Sequence, residues 1–300
     1  MPRRLRAKSA RPRPAALRHG LSFALLCLLA FPGCTFAHDW NALFVFGDSY
    51  SDSGAGYVDS NGPTAVVYLA ASLGIPFTYA GDPLSSGKSL NFAVSGAQTG
   101  RGEGIRIRPA AAKCLESDPL LGRGLQNQVV DFAQRVGSGA LRFNPEKTLF
   151  FIAGGLNDAT LPTATSIDNL EGEIRQLYDL GGRYFMVALL PTKIPPFSAV
   201  GHRLNPALAK IPDELSVKLP YAHIKLSQWG NDFDQVLDSP AQYGLTNVLD
   251  RCAGRTLFGE DPTPCAAPDA YFYYHDGHPS TRVHKLVALQ VEGEVKSLFP

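Results

Sequence analysis

The sequence predicts an open, mainly parallel α/β sheet of about five strands with helices on both faces. Three observations carry this expectation: short apolar runs alternate with helical segments along the chain, several of those runs end in glycine turns, and no internal repeat breaks the series.

Leu43-Phe-Val-Phe46 reads as a buried strand that ends at Gly47. Thr64 to Leu73 carries apolar residues at helical spacing, with Gly74 and Pro76 placed to stop it. Ser89 to Val94 reads as a second strand, running into Ser95-Gly96. Thr99 to Gly124 has no sustained period and reads as a long loop near the site. Leu125 to Val136 is predicted helical, and Thr148-Leu-Phe-Phe-Ile-Ala153 is the clearest buried strand, ending in Gly154-Gly155. Ile167 to Leu180 is a helix stopped by Gly181-Gly182. Tyr184 to Leu190 is the next strand. Lys193 to Pro220 reads as loop with a helical piece around Asn205 to Lys210. Ala222 to Leu226 alternates as an edge strand does, and helices follow over Trp229 to Leu237 and Thr281 to Leu298.

Three hundred residues fit one catalytic domain behind a short leader. Residues 1–37 have the anatomy of a secretory signal, with a basic stretch, the apolar run from Leu21 to Phe31 and small residues near Ala37. The expected division is therefore a signal peptide over 1–37 and a single domain over 38–300, secreted or periplasmic after cleavage. Lipid attachment at Cys34 and a twin-arginine signal at Arg3-Arg4 are the weaker alternatives. No later segment approaches the roughly 20 apolar residues of a spanning helix. The net charge of +1 gives no basic surface for nucleic acid, and a monomer is expected.

Beyond Ala37 three cysteines remain: Cys114, Cys252 and Cys265. Cys252 and Cys265 flank a short loop and are the expected disulfide pair. Cys114 reads as a free thiol.

In open α/β sheets ligands bind beyond the carboxyl ends of the strands. Three strand ends carry chemically capable turns: Gly47-Asp48-Ser49, Ser95-Gly96 and Gly155-Leu-Asn157-Asp158. They should converge. A serine hydroxyl needs a neighbouring base to become a nucleophile, and ester cleavage needs donors for the carbonyl oxygen. Ser49, Gly96 and Asn157 can supply that oxyanion hole. Among the histidines His278 stands out, in Tyr274-His275-Asp276-Gly277-His278-Pro279 just ahead of the closing helix.

On these residues the chain resembles the GDSL lipases and esterases of the SGNH hydrolase superfamily. Gly47-Asp48-Ser49 with Tyr50-Ser51-Asp52-Ser53-Gly54 is similar to the family's nucleophile block. Asn91 to Ala97 resembles its glycine block, Gly155 to Asp158 its asparagine block, and Pro240 to Asn247 a segment common in secreted members. The resemblance runs from about Leu43 to His284 and implies a three-layer α/β/α, flavodoxin-like fold. It further implies that Ser49 attacks an ester, that His278 is the base, and that the Ser49 and Gly96 N–H groups with the Asn157 side chain hold the oxyanion. No metal or organic cofactor is implied. The partners implied are small-molecule, lipid or acylated-sugar esters.

The chain departs from the family at one position. Members carry an aspartate three residues before the histidine, and here that residue is His275. Asp276, two residues before, is the expected third member of a triad; a backbone carbonyl orienting the imidazole, which leaves a Ser–His dyad, is the alternative. Other uses of the site are acyl transfer, phospholipid cleavage, or glycan binding without catalysis. Asp48, Asp52 and Asp158 read as turn formers, the aromatic run Tyr271 to Tyr274 as core, and Arg101, Arg106 and Arg108 as a solvated basic loop.

Overall fold

The protein is described by a computed structural model, which describes residues 38–102 and 122–299. The leader, with Cys34, and much of the Thr99–Gly124 loop, with Arg106, Arg108 and Cys114, lie outside the described residues.

Nine strands and seven α-helices lie among the described residues. The central sheet is built from β1 (Ala42–Gly47), β2 (Thr78–Tyr79), β3 (Leu90–Asn91), β4 (Thr148–Ala153), β5 (Tyr184–Ala188) and β6 (His223–Ser227). Their order is β2-β3-β1-β4-β5-β6, and every pairing is parallel. β1 and β4 are wholly buried continuous apolar runs, which is what strands covered on both faces require. They pair from Ala42↔Thr148 to Gly47↔Ala153, so their carboxyl ends finish level.

Helices cover both faces. On one side α1 (Ala65–Ser72) and α6 (Trp229–Asp238) pack against α7 (Thr281–Leu298). On the other, α2 (Leu125–Gly137), α3 (Thr163–Asp179) and α4 (Ser198–Leu208) pack in succession, with α5 (Ile211–Ser216) against α3. Aromatic rings fill the middle: Phe44, Phe46, Phe132, Phe150 and Phe185 are fully buried in edge-on and tilted contacts. A second sheet, β7 (Asn247–Arg251), β8 (Tyr271–His275) and β9 (His278–Pro279), carries the turn that bears His278.

The observed α/β architecture is the predicted one. The sheet has six strands where about five were expected, the short β2 and the second sheet with β8 at Tyr271–His275 being additions, and two predicted segments differ. Ser89 to Val94 is a strand only at Leu90–Asn91, because Phe92 and Val94 turn their N–H groups to Val45 and Gly47 and then enter the Ser95 turn. Lys193 to Pro220, read mainly as loop, holds α4 and α5. Pro206 inside α4 hid the helix, and the Asn205 side chain bonds Leu190 N–H and C=O on either side of that turn.

Candidate active site

Ser49 follows the end of β1 in a tight turn. The Asp48 carbonyl accepts the N–H groups of Ser51 and Asp52 at 3.0 and 2.9 Å, and its carboxylate accepts that of Tyr50 at 3.1 Å. The Gln128 side chain, reaching in from α2, bonds both the N–H and the C=O of Gly47, so the strand end is pinned. The other two strand ends are tied to the same place. Asp52 gathers backbone N–H groups from Gly54 to Tyr57 and from Ser95, which joins the nucleophile loop to the glycine turn. Asp158 accepts the N–H and hydroxyl of Thr99 at 3.0 and 2.6 Å, and Gln98 reaches the Asn157 carbonyl.

Ser49 Oγ and His278 Nε2 are 2.8 Å apart, with both residues buried. His278 Nδ1 lies 2.7 Å from the Asp276 carbonyl oxygen. A carbonyl only accepts, so Nδ1 carries the proton and Nε2 is left bare to receive the one on Ser49. Burial pulls the His278 pKa down, as do Arg255 and His275 nearby, whereas Asp59 and the bond to Asp276 pull it up; the net direction is down. The imidazole is therefore neutral near pH 7, the state a base needs. The Tyr50 hydroxyl donates to the Gly277 carbonyl at 2.6 Å, which fastens the Ser49 turn to the His278 turn.

The expected role of the Asp276 carboxylate needs correction. It is 2.8 Å from Arg251, its side chain is 70% exposed, and it does not face His278. The cause is the hairpin turn: His275 and His278 are its closing pair and both are buried, and Asp276, first of the two turn residues between them, carries its side chain out to solvent. Gly277, at φ 66°, closes this hairpin, and a Cβ there would meet Pro196 at 2.7 Å. Asp276 thus serves through its backbone.

Asn157 donates one N–H to the Ala97 carbonyl at 2.9 Å, which holds the amide and leaves its second N–H for another acceptor. Gly96 has φ 80°, a conformation that turns its backbone at the Ser95 turn. Among the described residues neither the Ser49 N–H nor the Gly96 N–H has an acceptor. Among the described residues the Ser49 and Gly96 N–H groups and one N–H of the Asn157 amide are thus uncommitted.

One buried acid was not singled out in the sequence. Asp59, 1% exposed, meets Arg255 at 2.7 Å, accepts from Ser95 Oγ at 3.0 Å, and lies 3.3 Å from His275 Nδ1 and 3.6 Å from His278 Nε2. Within Tyr57-Val-Asp-Ser-Asn-Gly62 it reads as an ordinary turn residue. The one available signal was indirect: a histidine where the family places an acid.

Among the described residues no group of three or more His, Cys, Asp or Glu side chains is arranged to hold a metal ion. Around Asp59 the cation present is the Arg255 guanidinium.

A family model described as GDSL-like lipase/acylhydrolase matches residues 43–291. The chain belongs to the GDSL lipase/acylhydrolase family. A GDSL esterase/lipase of Arabidopsis thaliana is 26% identical, the match covering 82% of this chain and 80% of the plant protein. Among solved structures, a lipolytic G-D-S-L protein of Veillonella parvula is 13% identical with a TM-score of 0.44, over 83% of this chain and 95% of that one. A phospholipase A1 from Streptomyces albidoflavus is 14% identical with a TM-score of 0.38, over 86% and 99%. The GDSL chain described here also carries the expected disulfide, Cys252–Cys265, with Cα atoms 4.8 Å apart. Among the described residues no helix is long and apolar enough to cross a membrane.

Proposed function

We propose that this GDSL hydrolase cleaves carboxylic esters through an acyl-enzyme on Ser49, with His278 as base, outside the cytoplasm. The observation that carries the reading is the 2.8 Å contact between Ser49 Oγ and a buried imidazole whose other nitrogen is held by a carbonyl. Ser49 Oγ attacks the ester carbonyl while its proton passes to Nε2. The tetrahedral oxyanion is held by the Ser49 and Gly96 N–H groups and the Asn157 amide. As the intermediate collapses, Nε2 returns the proton to the leaving alkoxide. Water, activated by the same nitrogen, then releases the acid.

Export is supported by the signal-like pattern over residues 1–37 and by a disulfide that an oxidising compartment preserves. The domain proposed for the mature chain is 38–300.

The test is hydrolysis of neutral nitrophenyl esters of graded acyl length by wild type, Ser49→Ala and His278→Ala. Each variant should lose at least about a thousandfold in kcat/KM. Activity that survives Ser49→Ala would sink the proposal.

A further inference from the structure

The mechanism above creates a positive charge on His278 and gives its Nδ1 edge only a neutral carbonyl as partner. An imidazolium in a buried site needs a counter-charge. The Asp276 carboxylate is turned out to Arg251. Asp59 is the carboxylate that remains within reach, with Oδ2 3.6 Å from His278 Nε2.

We propose that Asp59 is a positioning residue that supports the charge of His278 from its Nε2 edge, in place of an acid at Nδ1. The proposal rests on the reading of Ser49 and His278 as nucleophile and base. Asp59 takes no proton in it. The proton moves from Ser49 Oγ to Nε2 and onward to the leaving oxygen, while Asp59 stays ionised throughout.

The surroundings of Asp59 are built for that state. Burial alone would raise its pKa, but the charge of His278, the contact with His275, the Arg255 guanidinium and the Ser95 hydroxyl together outweigh it and hold the carboxyl below its ordinary value. Arg255 contacts both oxygens, through Nε to Oδ1 at 2.7 Å and Nη2 to Oδ2 at 2.8 Å. His275 stands where the family's acid stands, and its Nδ1 lies 3.3 Å from Asp59 Oδ1. The carboxylate missing from the hairpin thus arrives from a remote loop, and the histidine that replaced it is what the carboxylate rests on.

The groups that face His278 set the size of the effect. Asp59 favours its charged form; Arg255, on the loop between Cys252 and Cys265, and His275, on β8, oppose it. Tyr50 and Phe197 present neutral rings, and His284 on α7 lies behind Tyr50. Arg255 cancels part of the Asp59 charge, so the expected shift is at the small end for a carboxylate near a histidine.

The experiment is the pH profile of kcat/KM on a neutral short-chain ester, which reports the free enzyme's base. In Asp59→Asn the acid limb should move down by about one pH unit, with the plateau about tenfold lower. In Arg255→Gln the limb should move up, because the opposing cation is gone. A purely structural role would lower the plateau and leave the limb in place, and that result in Asp59→Asn overturns the proposal. Circular dichroism melts establish folding; should Asp59→Asn not fold, the direction of the Arg255→Gln limb decides, and a downward move overturns it. Failure of the underlying reading shows separately, as activity that survives Ser49→Ala or His278→Ala.

Discussion

The Asp276 carbonyl oxygen lies 2.7 Å from His278 Nδ1 while the carboxylate of the same residue pairs with Arg251 at 2.8 Å. One residue therefore holds the imidazole with its backbone and an exposed arginine with its side chain. In Asp276→Asn and Asp276→Ala, kcat/KM should stay within about threefold of wild type, since an exposed ion pair contributes little. Steady-state kinetics on a short-chain ester checks this. A loss of a hundredfold would restore the carboxylate to the site.

Asn157 is held through one N–H and offers the other. Asn157→Ala should lower kcat by about 10²- to 10³-fold with KM nearly unchanged, because the lost donor serves an oxygen charged only in the transition state. Parallel measurement of kcat and KM separates this from a loss of substrate affinity.

Asp48 is buried, and burial lifts its pKa to about 7 against the lowering bonds from Tyr50 and Leu156. Its second oxygen has no hydrogen-bond partner among the described residues. A group raised on folding contributes its full stability below its ordinary value of 3.8 and loses it as pH rises through 7. The melting temperature of Asp48→Asn relative to wild type should therefore rise from pH 5 to pH 8.5. Equal differences at both pH values would count against this.

His284 lies in the core between the rings of Tyr50 and Phe233, and burial pushes its pKa down to about 3. The sign is opposite here. Its contribution is present above the ordinary value of 6.5 and is lost as pH falls toward 3. Since Nδ1 has no partner among the described residues, Phe can replace the ring at little cost, and His284→Phe should unfold at lower pH than wild type in an acid titration followed by circular dichroism.

The Cys252–Cys265 bridge closes a loop of 13 residues separation, which corresponds to about 3 kcal/mol of restriction on the unfolded chain. Arg255 lies within that loop and holds Asp59. The Cys252→Ser, Cys265→Ser double variant should melt several degrees lower, and its kcat/KM should fall further than that of a variant altered only at exposed Leu249. A melt and a rate equal to wild type would show the bridge to be dispensable.

Much of this was legible in sequence because it is local. Thr148 to Ala153 is a continuous apolar run, and only a strand covered on both faces uses one in this setting. That the turns of Ser49, Gly96 and Asn157 meet was legible because each follows a strand of one parallel sheet, whose carboxyl ends lie together. Asp59 was not, since its partners Arg255 and His275 lie about two hundred residues away and nothing in a polar turn marks an acid as buried. The orientation of Asp276 was also hidden. It depends on whether the hairpin places His275 or its neighbour inward, a one-residue matter that periodicity does not resolve.

The hydroxyl of Ser49 and the imidazole it contacts are separated by 229 residues of sequence. The histidine reaches the serine only once the second sheet, which carries its turn, is built. Until the Tyr50 hydroxyl meets the Gly277 carbonyl, Ser49 has no imidazole held beside it. The pairing is thus a property of the finished fold, and a partly folded chain holds the two side chains far apart.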